Sequence, residues 1–268
     1  MNESLFTRIK SLPPLPESVA KIQAICNDPN AGVADLAKVV EQDPMLTANL
    51  LKAANSPLYG FSREIKTLTQ AVSLFGMATV RGFALASAVK STLTIDMSPY
   101  KLNAERFADL SQLQNALMVR WYGQVNRAML DILSPAAFLI GVGRVIMAQE
   151  IVKEGKTEAF LKLAAEKGSW EAAEEALLDI SYQEVSAAVF RHWRFEPAMV
   201  EAIRGSHNPN EVEAAIAPYA LALKVVQSAV SLPGGLNDES LKAAQGILEA
   251  AKMDVEKFNK AAKELAPA

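Results

Sequence analysis

Apolar residues recur at three- and four-residue spacing through almost the whole of this chain, and that period suits helices far better than strands. The stretch from Ala136 to Gln149, Ala-Ala-Phe-Leu-Ile-Gly-Val-Gly-Arg-Val-Ile-Met-Ala-Gln, is the extreme case and reads as one buried helix. Only 13 glycines and 13 prolines interrupt 268 residues, and the abundant Ala and Leu are strong helix formers. An all-α fold is expected, with enough chain for a full core in one large domain or two closely packed ones.

The formal charge of −3 and a pI near 5.6 argue against sequence-independent nucleic-acid binding, which needs dense Lys and Arg to displace counterions from phosphates. Lys52, Arg63, Lys66, Arg81 and Lys90 fall within one region, and read as the solvated face of helices. Cys26 is alone, so neither an intramolecular disulfide nor a thiolate cluster for zinc can form; a small packed core residue is its expected role. The N-terminus lacks the apolar run and small-residue cleavage site of a signal peptide, and no stretch reaches about 18 uncharged apolar residues. A soluble cytoplasmic protein without membrane association is the expectation.

Proline, Asp/Asn and Ser/Thr set the expected helix boundaries. Leu12-Pro13-Pro14-Leu15-Pro16 forces an extended turn, after which Glu17 to Asn27 carries Val19, Ile22 and Cys26 on one stripe. Asp43-Pro44 is a strong start signal, an Asp accepting from orphan amides before a Pro that has no donor to waste. That helix should end near Asn55. Thr67 or Thr69 should cap the next, which ends near Gly76, and Thr79 to Leu93 supplies another. A long helix is expected over about Asn103 to Gln124. Between Lys156 and Leu178 the charges read as solvated faces, Glu174 and Glu175 included, with Gly168 ending one helix and Ser169 capping the next. Further helices are expected to open at Ser181-Tyr182 and Phe195-Glu196-Pro197, followed by Glu211 to Leu232, a turn at Pro233-Gly234-Gly235, Asp238 to Ala251 and Val255 to Leu265.

Three segments in order carry a resemblance: Leu-Pro-Pro-Leu-Pro at 12 to 16, Val-Glu-Gln-Asp-Pro-Met-Leu-Thr-Ala-Asn-Leu-Leu-Lys-Ala-Ala-Asn-Ser at 40 to 56, and Thr-Gln-Ala-Val-Ser-Leu-Phe-Gly at 69 to 76. In combination they resemble the HDOD family of bacterial signalling proteins. The resemblance implies a multi-helical HDOD architecture, in which an N-terminal helical bundle packs against a part related to HD-type phosphohydrolases. The expected division is 1–98 for the first part, 99–232 for the second, with Met97-Ser98-Pro99 as the joint, and 233–268 as a C-terminal helical extension. Asp43 and Asn55 are polar between apolar runs; capping and turn hydrogen bonds account for them without a ligand.

Catalytic relatives carry a metal-binding His before a Ser on the first HD-like helix, which resembles Leu110-Ser111 here, and a His-Asp dyad before a hydrophobic residue, Gly and Lys. Val142-Gly143-Arg144 is similar to that tail, which puts Ile140 and Gly141 at the dyad. A hydrolytic metal needs imidazole nitrogens and carboxylate oxygens, and these side chains offer neither. The only two histidines are His192 and His207, so the early motif histidines are absent in any register. Farther on, relatives often resemble His-x-Glu-Val-Gly where this chain has Tyr182-Gln183-Glu184-Val185-Ser186, and Ser206-His207-Asn208-Pro209 matches a segment that often has two histidines.

The expected function is therefore a non-catalytic HDOD signalling module that needs no cofactor and binds a signalling or regulatory protein, or a small signal, through a cleft between its helical parts. Candidate pocket residues beside the former metal site are Asp109, Arg144, Tyr182, Glu184 and His207; Arg144 could grip an anion bidentately or form a surface salt bridge. His207 reads otherwise as a helix-end residue, and His192 as a surface or core-edge one. A divergent metal-dependent phosphohydrolase and a nucleotide sensor without turnover are the alternatives. Gly141-Val142-Gly143 lacks the rest of a P-loop and reads as a close helix packing.

Overall fold

A computed structural model describes residues 3–265. Its first helices begin where short side chains can reach exposed amides. After α1 (Glu3–Lys10), α2 (Glu17–Asn27) and α3 (Val33–Glu41), Asp43 accepts from the Leu46 amide at 3.0 Å and starts α4 (Pro44–Ala54). Asn55 closes that helix by donating to the Leu51 and Ile65 carbonyls and accepting from the Ile65 amide. Thr67 and Gln70 form a reciprocal cap on α5 (Leu68–Phe75). The chain then turns by 111° into α6 (Met77–Thr92), pivoting on Gly76 at φ +79, a backbone setting that favours glycine.

The second half continues with α7 (Ala104–Val125), α8 (Leu130–Leu139), α9 (Val142–Lys153), α10 (Thr157–Lys167) and α11 (Trp170–Leu178). It ends with α12 (Tyr182–His192), α13 (Pro197–Gly205), α14 (Ala217–Ala229), α15 (Asp238–Ala250) and α16 (Val255–Lys263). Among the described residues there is no strand, only one isolated bridge between Ser231 and Gly235 across the Pro233-Gly234 turn. The fold is all-α, as the spacing of apolar residues requires.

One core runs through both halves. Helix α6 lies against α8 so closely that a Cβ on Gly82 would sit 2.7 Å from the Phe138 ring and 3.1 Å from the Pro135 Cα, and the Phe83 and Phe138 rings pack at a tilt of 58° with centroids 4.6 Å apart. A buried polar chain crosses the same junction. Tyr59 donates to the Asn115 carbonyl oxygen, the Asn115 amide donates to the Ser134 hydroxyl and carbonyl, and the Ser134 hydroxyl donates to Thr79. Each partner is satisfied, so the chain fixes how α6, α7 and α8 align without leaving a desolvated polar group. At the ends, Arg8 pairs with the buried carboxylate of Glu150 at 2.9 Å to dock α1 on α9, and Phe258 of α16 meets Trp121 of α7 edge-on at 5.3 Å.

Four expectations need correction. The stretch from Ala136 to Gln149 is two helices, not one: α8 ends at Leu139 and α9 begins at Val142. The Ser186 hydroxyl enters the break, donating to the Ile140 carbonyl at 2.7 Å and accepting from the Gly143 amide at 2.8 Å, and so satisfies backbone groups that the interrupted ladder leaves open. Second, the helix expected over Glu211 to Leu232 begins only at Ala217, because Pro218 sits in the first turn, where its missing amide proton does no harm. Third, Arg81 is buried rather than part of a solvated basic face. Pro135 has no N–H to offer the Asp131 carbonyl one turn earlier, and Arg81 Nη2 donates to that carbonyl at 2.5 Å and to Glu196 at 2.9 Å. Fourth, Glu174 is buried, with 0% of its surface exposed, while Glu175 next to it is exposed. Within residues 127–153 an 18-residue stretch is apolar enough to cross a membrane by composition, yet 72% of that stretch is buried inside the protein, as befits a core segment.

Candidate functional site

Ile140 and Gly141, the positions that the resemblance assigns to the HD dyad, lie in the break between α8 and α9. Ile140 is buried; a Cβ on Gly141 would lie 3.2 Å from the Phe107 ring of α7, which covers that side. Gly143 faces α12 even more closely, since a Cβ there would come within 2.1 Å of the Tyr182 carbonyl and 2.7 Å of the Ser186 amide. Gly143 is thus what lets two backbones touch, as expected for Gly-x-Gly inside a helical segment, and Ser186 is the hydroxyl that fills the contact.

Beside the break lies a buried polar cluster. Arg144 Nε donates to Glu174 at 2.7 Å, Arg144 Nη2 reaches Glu171 at 3.4 Å, and the guanidinium lies 3.6 Å from the centre of the Tyr182 ring. Such stacking with a carboxylate in the guanidinium plane suits arginine rather than lysine. The second Glu174 oxygen and the hydroxyls of Tyr100 and Tyr182 are buried without a hydrogen-bond partner among the described residues. Burial pushes both phenols well above their ordinary pKa range. Burial also raises Glu174, against the opposing pull of Arg144, while the carboxylate holds Arg144 firmly charged.

The five sequence candidates are only partly brought together. Arg144 and Tyr182 stack on each other. Glu184 is exposed and caps its own helix, accepting from the Ser181 amide at 3.2 Å while Ser181 accepts from the Glu184 amide. Asp109 is exposed on α7. His207 is exposed with Nδ1 3.6 Å from Glu175, a contact that solvent screens. His192 is exposed and its ring nitrogen lies 3.1 Å from the Leu12 carbonyl. Glu171 and Tyr100 are not among the sequence candidates, while Glu174 reads there as solvated charge and Ser186 only as a departure from the family segment. The i, i+3 spacing of Glu171 and Glu174, which puts two carboxylates on one side of α11, is the signal that points to that pair.

The residues at the dyad do not fit a metal. Ile140 and Leu110 present hydrocarbon and Gly141 nothing, and the carboxylate nearest to Arg144 is committed to an ion pair. Among the described residues no group of three or more His, Cys, Asp and Glu could hold an ion. Arg144 forms a salt bridge, but a buried one rather than the surface pair expected of it: Glu174 takes its Nε and Glu171 its Nη2.

Comparison with known proteins agrees with this architecture. The chain is 27% identical to a virulence factor of Campylobacter jejuni, with a TM-score of 0.59 over 100% of this chain and 98% of that one. A candidate signal transduction protein of Marinobacter aquaeolei VT8 is 21% identical with a TM-score of 0.70, over 98% of this chain and 63% of that one. A protein of Treponema pallidum (strain Nichols) is 22% identical over 230 residues, which is 82% of this chain and only 43% of that relative's length. The profile of the HDOD domain matches residues 12–209, and the chain belongs to the HDOD domain family.

Proposed function

We propose that this chain is a non-catalytic HDOD signalling module that works by binding a partner protein or a small signal. The observation that carries this reading is the break at Ile140 and Gly141. There the Ser186 hydroxyl and the Phe107 ring occupy the space around the dyad, and Arg144 is neutralised by Glu174 from within the same fold. Hydrolysis would require a Lewis acid with an open water position, and no side chain at the break can ligate one. The family and the Marinobacter aquaeolei relative support the signalling part of the reading.

Hydrolysis of phosphomonoesters and cyclic nucleotides, assayed with Mg2+, Mn2+ and Fe2+, tests it. The expected rate equals the metal-only blank. Turnover that needs stoichiometric metal and disappears in Glu184→Gln or Asp109→Asn would establish the divergent phosphohydrolase instead. Calorimetry against a nucleotide panel separates a nucleotide sensor from a protein-binding module.

A further inference from the structure

A cavity of about 50 Å3 lies at the seam where α2 meets the turn between α12 and α13, lined by Gln23, Asn27, Arg81, Arg194, Phe195 and Glu196. None of the five candidate pocket residues lines it. All its lining residues but Phe195 are polar, and its formal charges are two guanidinium groups against one carboxylate. The volume exceeds what a single water needs and suits one small polar group.

The two arginines differ in a useful way. Arg81 is 7% exposed and held in place by the Asp131 carbonyl and Glu196; its Nη1 makes only a 3.4 Å contact to the Asn27 oxygen, and its Nε is buried without a partner. Arg194 is exposed, stands at φ +58 in the tight turn after α12, and its side chain forms no hydrogen bond or ion pair among the described residues. Glu196, half-buried, occupies the guanidinium edge of Arg81 that an incoming anion would use. A fixed arginine, a free one and a displaceable carboxylate make a site for an oxyanion, since guanidinium forks match the paired oxygens of carboxylate and phosphoryl groups.

We propose that this seam cavity is an oxyanion-binding site that takes one phosphoryl or carboxylate group, with Arg81 as its fixed guanidinium, Arg194 as the capturing one and Glu196 as the built-in competitor. Because Arg81 also joins α6 to the starts of α8 and α13, occupancy bears on how the two halves of the fold are held together. The proposal rests on the signalling reading only in treating the chain as the receiver of a small signal: it stands or falls on binding, whereas that reading falls on turnover.

Calorimetric titration of the full chain with inorganic phosphate, and separately with acetate, at constant ionic strength tests it. One saturable site for at least one of the two is expected, with the tighter of them naming the group. Arg194→Gln should weaken it at least tenfold without shifting the ligand-free melting temperature, and Glu196→Gln should tighten it several-fold. Failure of both anions to saturate, or an affinity unchanged in Arg194→Gln, would overturn the assignment.

Discussion

At the scale of single residues, the charge of Arg144 is committed inside the fold, 2.7 Å from the buried carboxylate of Glu174. Removing one partner of such a pair leaves the other desolvated and uncompensated, which costs about 3–5 kcal/mol. Arg144→Ala should therefore lower stability by about that amount, while Arg144→Met with Glu174→Leu should recover most of it. The loss has a pH signature. Burial already raises Glu174 above its ordinary value, and Arg144 is what opposes that shift. Without Arg144 the folded state holds the Glu174 proton to still higher pH than the unfolded chain does. Stability of Arg144→Ala must then fall as pH rises above about 4.3, the unfolded carboxyl value, toward the raised folded pKa. Urea denaturation at pH 5 and pH 7.5 should show the larger deficit at pH 7.5, and adding Glu174→Gln should remove that difference. Gly143→Ala tests the contact between α9 and α12: with a Cβ 2.1 Å from the Tyr182 carbonyl, backbone must move, and a loss at or above about 3 kcal/mol is expected in the same assay.

At the scale of elements, Pro135 and Arg81 form one device. The proline frees the Asp131 carbonyl, and a guanidinium from α6 takes it while pairing with Glu196 before α13. Arg81→Met should leave that carbonyl and carboxylate unmatched and cost about 2–4 kcal/mol, read from the thermal midpoint. Which of these features the sequence exposes depends on the range of the interaction behind them. Asp43 and Thr67 announce helix starts because their partners, Leu46 and Gln70, lie three residues away. The break at Ile140 and Gly141 is hidden inside an unbroken apolar run, because the hydroxyl that enters it comes from Ser186, far along the chain. Glu174 looks like surface charge for the same reason: Arg144, its partner, is 30 residues earlier. Missing imidazoles before His192 show in the sequence directly, whereas the exposure of Asp109, Glu184 and His207 depends on packing between distant helices.

At the scale of the molecule, the aromatic contacts join the halves: Tyr59, Phe75 and Phe83 from the first continue to Phe138 in the second. The C-terminal helices belong to the same packing, since α16 lies on α7 with Phe258 fully buried against Trp121 and Arg120 paired to Glu264 at 2.6 Å. Deleting residues 233–268 should expose Trp121 and lower the unfolding midpoint; an unchanged midpoint and tryptophan emission would mean that α15 and α16 contribute nothing to the rest. The central claim, that this HDOD fold keeps the frame of a metal site without its ligands, is tested most directly by metal retention. The purified chain is incubated with Mn2+, Fe2+ or Zn2+, desalted and measured by mass spectrometry. Far less than one equivalent of each metal is predicted. One tightly held equivalent, lost when Glu184 and Asp109 are replaced by their amides, would contradict the account.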